Sequence, residues 1–202
     1  MGSETGMALL IGRRFVVSRV SECSNAGDRL PVILAHGRAF GSGEHETTRS
    51  CVEELEEIAL SSDSRVLDLG CGTGVLSVAA ARIGARYVVA LDPCPDAMAT
   101  TLATIRLNGM QTVIDPVQGD ISALRRASFD LILANLYGDV ILRSVETISA
   151  LLAPGGTLVA SGIQYGDTYE VGIRFIWAGC KLIKTRYLAD YSTMVIVKDR
   201  HG

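Results

Sequence analysis

The sequence predicts an α/β fold: a doubly wound, mostly parallel seven-stranded sheet with a C-terminal antiparallel hairpin. Three observations carry the prediction. From Arg65 onward, short β-branched and apolar runs alternate with stretches of helical periodicity. A turn with glycine at every second position, Gly70, Gly72 and Gly74, joins the first such run to the first helix that follows it. The tail from Cys180 to Lys198 reads as two strands around residues 189–192. Strands that alternate with helices feed a parallel sheet covered on both faces.

The elements follow in order. Residues 1–38 form a short N-terminal strand segment, with strand-like runs at 14–20 and 30–36. The glycine-rich stretch "AFGSGEHETT", Ala39 to Thr48, comes next. A helix then starts at a Thr47 or Thr48 cap and buries Cys51, Val52, Leu55, Ile58 and Ala59, which leaves Glu53, Glu54, Glu56 and Glu57 as a solvated face. That acidic face is expected to steer a basic target. "RVLDLG" is a strand, "VLSVAAARIG" a helix stopping at Gly84, and "RYVVALD" a strand. "DAMATTLATIRLNG" is a helix ending at Asn108-Gly109. "TVIDPVQ" is a strand whose internal Pro116 assigns it to a sheet edge. "FDLILAN" is a buried central strand, and a helix over "DVILRSVETISALLA" leads through the turn Pro154-Gly155-Gly156 to the strand "TLVASGI".

Composition excludes several classes. Apolar residues make up 48% and charged residues 20% of the 202-residue chain, as in globular proteins. A net charge of -3 does not suit a phosphate backbone, so no direct nucleic-acid binding is expected. "MALLIG" is too short to span a membrane and lacks a cleavage site, so a cytoplasmic location is expected. The five cysteines (Cys23, Cys51, Cys71, Cys94 and Cys180) form no CxxC pair and read as reduced thiols. His36, His45 and His201 are the only histidines, and no metal site is expected. Glu44 after Gly43, where a P-loop needs lysine, excludes a phosphate cradle.

In a doubly wound sheet the ligand lies beyond the carboxyl ends of the strands. Those ends carry Asp68 with the Gly70, Gly72 and Gly74 turn, then Asp92, Asp120 and Asn135. Val75 stands where a dinucleotide fingerprint has its third glycine, so a nicotinamide or flavin cofactor fits poorly. Asp68 is placed to take an ammonium group, Asp92 to accept from both hydroxyls of a ribose, and Asp120 to accept from an adenine amino group. Asn135 offers donors and an acceptor at the tip of a buried strand, with Tyr137 beside it.

These motifs, "VLDLGCGTG", Asp92, "GD" and "FDLILAN", resemble the Rossmann-like class I methyltransferases that use S-adenosylmethionine. "AFGSGEHETT", "ANL" and "LVASGI" narrow the resemblance to the bacterial PrmA family, which methylates a stalk-base protein of the large ribosomal subunit. The resemblance runs from about Leu30 to Lys198 and implies that residues 39–202 are the methyltransferase domain. It implies that Thr48 contacts the cofactor, Gly70 lies beneath its methionine part, Asp92 binds its ribose, and Asn135 stands near the sulfonium. The glycine-rich loop then looks like a lid over the methionine end. Two stretches depart from the pattern: Glu46 stands where a proline is usual, and Asn135-Leu136-Tyr137 stands where "ANIL" is usual. Full-length members carry a substrate-recruiting domain ahead of the catalytic one, and fewer than 40 residues precede the loop here.

The expected activity is methyl transfer from S-adenosylmethionine to a nitrogen, on a protein lysine or terminal amine, with Asn135 and Tyr137 orienting the nucleophile. The expected partner is a protein, ribosomal or otherwise basic, or a small amine. A small-molecule methyltransferase and a non-catalytic cofactor-binding subunit are the alternatives.

Overall fold

The computed structural model describes residues 8–19, 27–37, 39–124 and 127–200; Cys23 and His201 lie outside these. Among the described residues ten strands and five helices follow one another: β1 (Leu9–Ile11), β2 (Phe15–Ser18), β3 (Leu30–Ile33), α1 (Glu46–Glu56), β4 (Arg65–Leu69), α2 (Val75–Arg82), β5 (Tyr87–Asp92), α3 (Pro95–Leu107), β6 (Ile114–Gln118), β7 (Phe129–Asn135), α4 (Gly138–Leu151), β8 (Leu152–Gln164), α5 (Tyr165–Trp177), β9 (Cys180–Tyr187) and β10 (Tyr191–Lys198). A short 3-10 turn over Ile121–Leu124 precedes β7.

The seven-stranded sheet runs β6-β5-β4-β7-β8-β10-β9. Five strands are parallel, and β10 and β9 close the far edge antiparallel. The proline strand β6 is an edge, as Pro116 predicts, and β7 lies at the centre. After β4 the chain builds outward through β5 and β6, then returns to β4's other side with β7. That reversal opens a crevice between the ends of β4 and β7.

Two cores sandwich the sheet. On one face, α1, α2 and α3 bury Leu55, Val78 and Ile105 against Val66, Val88 and Leu131. On the other, α4 and α5 bury Ile141, Ile148 and Phe175 against Leu67, Ile132 and Leu158. Residues of opposite parity along each strand serve opposite faces. The small sheet β1-β2-β3 joins the first core through Ile11, Phe15 and Val32. Its β3 is tied to α3, because Asn108 exchanges hydrogen bonds with Ile33 (3.0 and 2.7 Å).

Three elements differ from expectation. Helix α5 was not foreseen: Gly166, Gly172 and four aromatic residues dilute its helical signal, although Thr168, Val171, Gly172 and Phe175 form a buried stripe at helical spacing. Strand β1, within the apolar "MALLIG" run, is too short to be distinctive. The Pro154-Gly155-Gly156 turn is absorbed into β8 as a bulge: Leu152 pairs with Phe129 and Thr157 with Leu131, so four residues oppose one.

The glutamate face of α1 is a correction. Glu54 is 4% exposed, and Lys184 donates to both its carboxylate oxygens at 2.7 Å. Arg186 pairs with Glu53, Glu57 with Arg13, and Glu56 accepts from the Arg13 and Arg14 amides (2.9 and 2.8 Å). The face packs on β9 and the β1–β2 turn: Glu53, Glu54 and Glu57 are ion-paired within the fold and Glu56 is held by two amides, so most of its charge is engaged there rather than free for steering. The cap is a correction too: His45, not a threonine, caps α1.

Candidate active site

A cleft of about 600 Å³ lies at the carboxyl ends of β4, β5 and β7. Its floor is the turn after β4. Gly70 and Gly72 have φ of 74° and 54°, in the left-handed region where a side chain is strained. The structure also shows what the missing side chains make room for. A Cβ on Gly70 would stand 2.5 Å from Leu136, and one on Gly72 would meet the Phe40 carbonyl. The glycines therefore admit the protein's own loops as well as any ligand. Thr73 fastens the glycine-rich loop down: its amide donates to the Phe40 carbonyl (3.0 Å) and its hydroxyl to that of Gly41 (2.7 Å).

Asp92 ends β5 in the cleft wall, 9% exposed. Its Oδ2 accepts from the Gly72 amide (3.1 Å) and its Oδ1 from the Cys94 amide (2.9 Å). A carboxylate has about four acceptor positions, so each oxygen keeps one for a further donor. A vicinal diol supplies two donors at the spacing a carboxylate presents.

Asn135 ends β7 at the cleft, and its Nδ2 donates to the Thr48 hydroxyl (3.1 Å). Thr48 is fully buried and meets the site through Asn135. Tyr137 lines the mouth with 68% of its surface exposed. Leu136 and Gly162 complete the wall, and Gly162, at φ 83°, has no room for a side chain: a Cβ there would stand 2.5 Å from the Leu136 carbonyl.

The other predicted residues stand outside the lining. Gly74 caps α2 at φ 80° against Thr101. Asp68 is 1% exposed, and its Oδ2 accepts from the Ser77 amide (2.9 Å) and hydroxyl (2.5 Å), so it anchors α2 beneath the cleft. Burial pushes its carboxyl up to about 6 against the pull of those hydrogen bonds. Asp120 is exposed and accepts from the Ser122 amide (2.9 Å), which holds its carboxyl below the usual range.

Several lining residues lie outside the predicted set. His45 lies edge-on between Phe40 (5.3 Å between centroids) and Tyr191 (5.4 Å), and its Nδ1 is 2.8 Å from the Thr47 hydroxyl. Phe40 and His45 were visible inside "AFGSGEHETT", but nothing local ties Tyr191 to them. The β9–β10 turn brings it there. Glu46 accepts from the Ala189 and Asp190 amides (2.9 and 3.1 Å), and the Tyr165 hydroxyl donates to the Leu188 and Ala189 carbonyls. The turn is clamped from both sides, with Tyr191 set against the cleft.

Among the described residues the four cysteines Cys51, Cys71, Cys94 and Cys180 are unpaired, and no helix is long and apolar enough to cross a membrane.

Comparison with known proteins adds a family. The family model "Ribosomal protein L11 methyltransferase (PrmA)" matches residues 8–198. The chain is 40% identical over 189 residues to a ribosomal protein L11 methyltransferase of Geobacter sulfurreducens, covering 92% of this chain and 60% of that protein. It is 38% identical over 154 residues to the one of Heliobacterium modesticaldum, covering 76% of this chain and 48% of that protein. The chain thus spans about half the length of the curated relatives it matches. In fold it superposes on a crystal structure of a ribosomal protein L11 methylase from Lactobacillus delbrueckii subsp. bulgaricus with a TM-score of 0.86 at 23% identity, covering 95% of this chain and 98% of that one.

Proposed function

From the premise that this chain belongs to the ribosomal protein L11 methyltransferase (PrmA) family, we propose that it transfers methyl groups from S-adenosylmethionine to a nitrogen of a cytoplasmic protein, a lysine or terminal amine. The observation that carries the reading is the convergence of Asp92, the Gly70–Gly72 turn and Asn135 on one cleft under a fastened loop.

The residues fit the cofactor. Asp92 keeps an acceptor position on each oxygen for the two ribose hydroxyls. Half-buried Gly70 and buried Gly72 line the cleft floor without side chains. The sulfonium supplies the electrophilic methyl group, and the protein's part is to align a neutral amine with it. Asn135, oriented by Thr48, and the aromatic surfaces of Phe40, His45 and Tyr191 border the space where that amine would enter. A lysine amine has a pKa of about 10.4 in water and must shed its proton before attack. Apolar and aromatic walls favour the neutral form by desolvation.

The test is transfer of a labelled methyl group to purified ribosomal protein L11, to a basic-protein mixture and to small amines. Label in a protein is expected. Asn135→Ala should lower kcat on the order of a hundredfold, the scale of a misaligned reacting pair, with cofactor affinity changed by far less. Label confined to small amines overturns the protein substrate.

A further inference from the structure

Glu53, Glu54 and Glu57 are ion-paired within the fold, and the chain is acidic, with a net charge of -3. Acidic side chains without an ion pair also stand at the cleft rim where α5 begins and the β9–β10 turn ends. Asp167, Glu170 and Asp190 carry carboxylates with no hydrogen bond or ion pair among the described residues. The basic side chains of β9 are held away from this rim: Lys184 and Arg186 by the α1 glutamates, Lys181 by Asp199 at the strand's other end.

The same rim carries aromatic surface. Tyr165, Tyr169 and Tyr187 are 45%, 80% and 65% exposed. Tyr165 and Tyr187 meet edge to face, their centroids 5.7 Å apart, and Tyr165 is further held by its hydroxyl on the β9–β10 turn. The surface is continuous with the cleft, because Asp167 packs against Gly138, the neighbour of cleft-lining Tyr137. Fixed tyrosines offer contact area at little entropic cost, and their faces attract cations. Surrounding carboxylates strengthen that attraction and repel acidic surfaces, a second copy of this chain included.

We propose that this rim is a docking surface for an extended, lysine- or arginine-rich segment flanking the acceptor amine of a protein substrate. The proposal rests on the methyltransferase reading and adds what that cleft's substrate presents around the reacting nitrogen.

The experiment measures binding of a fluorescent lysine-rich peptide and its glutamate counterpart to the full chain, at low and high salt. S-adenosylhomocysteine affinity and sedimentation are followed in parallel. The double variant Tyr169→Ala, Glu170→Lys alters two exposed side chains outside the cleft. The lysine-rich peptide should bind, weaken with salt, and lose about tenfold in affinity in the variant, while cofactor-product affinity stays constant. The proposal is overturned if the variant binds the peptide like the parent, if the glutamate peptide binds equally, or if the variant changes self-association. Peptide binding without cofactor-product binding upholds the surface and overturns the methyltransferase reading. Cofactor-product binding without peptide binding does the reverse.

Discussion

Asp68 shows how a residue can hold the right place in a motif and do something other than what the motif suggests. Its strand-end position beside the glycine turn pointed to an ammonium ligand, and its contacts are to Ser77 at the start of α2. Burial raises its carboxyl from 3.8 to about 6. The folded state therefore keeps a proton that the unfolded chain releases above about pH 4, and stability falls as pH rises through that window. Asp68→Asn keeps an acceptor for Ser77 and removes the titration. Urea unfolding at pH 4 and pH 7 should show the parent losing up to about 3 kcal/mol more than the variant, the equivalent of the shift. The glycines separate in a similar way. Gly72→Ala faces both its positive φ and the Phe40 carbonyl, whereas Gly109, at φ 67°, has open space around it. Gly109→Ala should cost about 1 kcal/mol of stability and leave the cleft alone. Gly72→Ala should also displace the glycine-rich loop and weaken S-adenosylhomocysteine binding by roughly tenfold, a loss of about 1.4 kcal/mol, as calorimetry would read it.

At the scale of elements, what was legible in the sequence is what is local. Strands β4 to β7 and helices α2 to α4 announce themselves by periodicity, and the strand-end residues Asp92 and Asn135 follow from knowing where strands stop. Helix α5 was lost because its buried stripe includes Gly172, which packs close to Met194 and Leu182 and weakens the propensity signal. The α1 glutamates were misread because their partners lie far along the chain; Lys184 is 130 residues from Glu54. No window of sequence contains that pairing, so Glu54 looks solvated and is buried. Lys184→Ala should consequently destabilise the fold more than an ordinary surface change, by about 1–3 kcal/mol, because it leaves a buried carboxylate with only the more distant Arg186, at 3.8 Å, as its cation. Glu54→Gln should cost less. Chemical denaturation of the two variants side by side decides the order.

For the molecule as a whole, the sheet supplies a rigid frame and the loops at one end supply the chemistry. A ligand that binds only the folded frame raises its stability by mass action. At a hundredfold excess over its dissociation constant, S-adenosylhomocysteine should add about 2.7 kcal/mol, roughly 5–10 °C in melting temperature for a chain of this size. NAD should add nothing, and an equal shift with NAD contradicts the reading of Val75. The clamp on the β9–β10 turn has a consequence of another kind. Glu46 reaches amides 143 and 144 residues further on. A polypeptide leaves the ribosome amino end first at about 5–20 residues per second, so the glycine turn, Asp92 and Asn135 emerge well before the turn that seats Tyr191. On the proposed reading, a growing chain can assemble much of a place for the methyl donor a few seconds before it has a finished wall for the acceptor. Until Tyr191 arrives against His45, the nascent enzyme is loaded but not aimed, and its competence waits on its own completion.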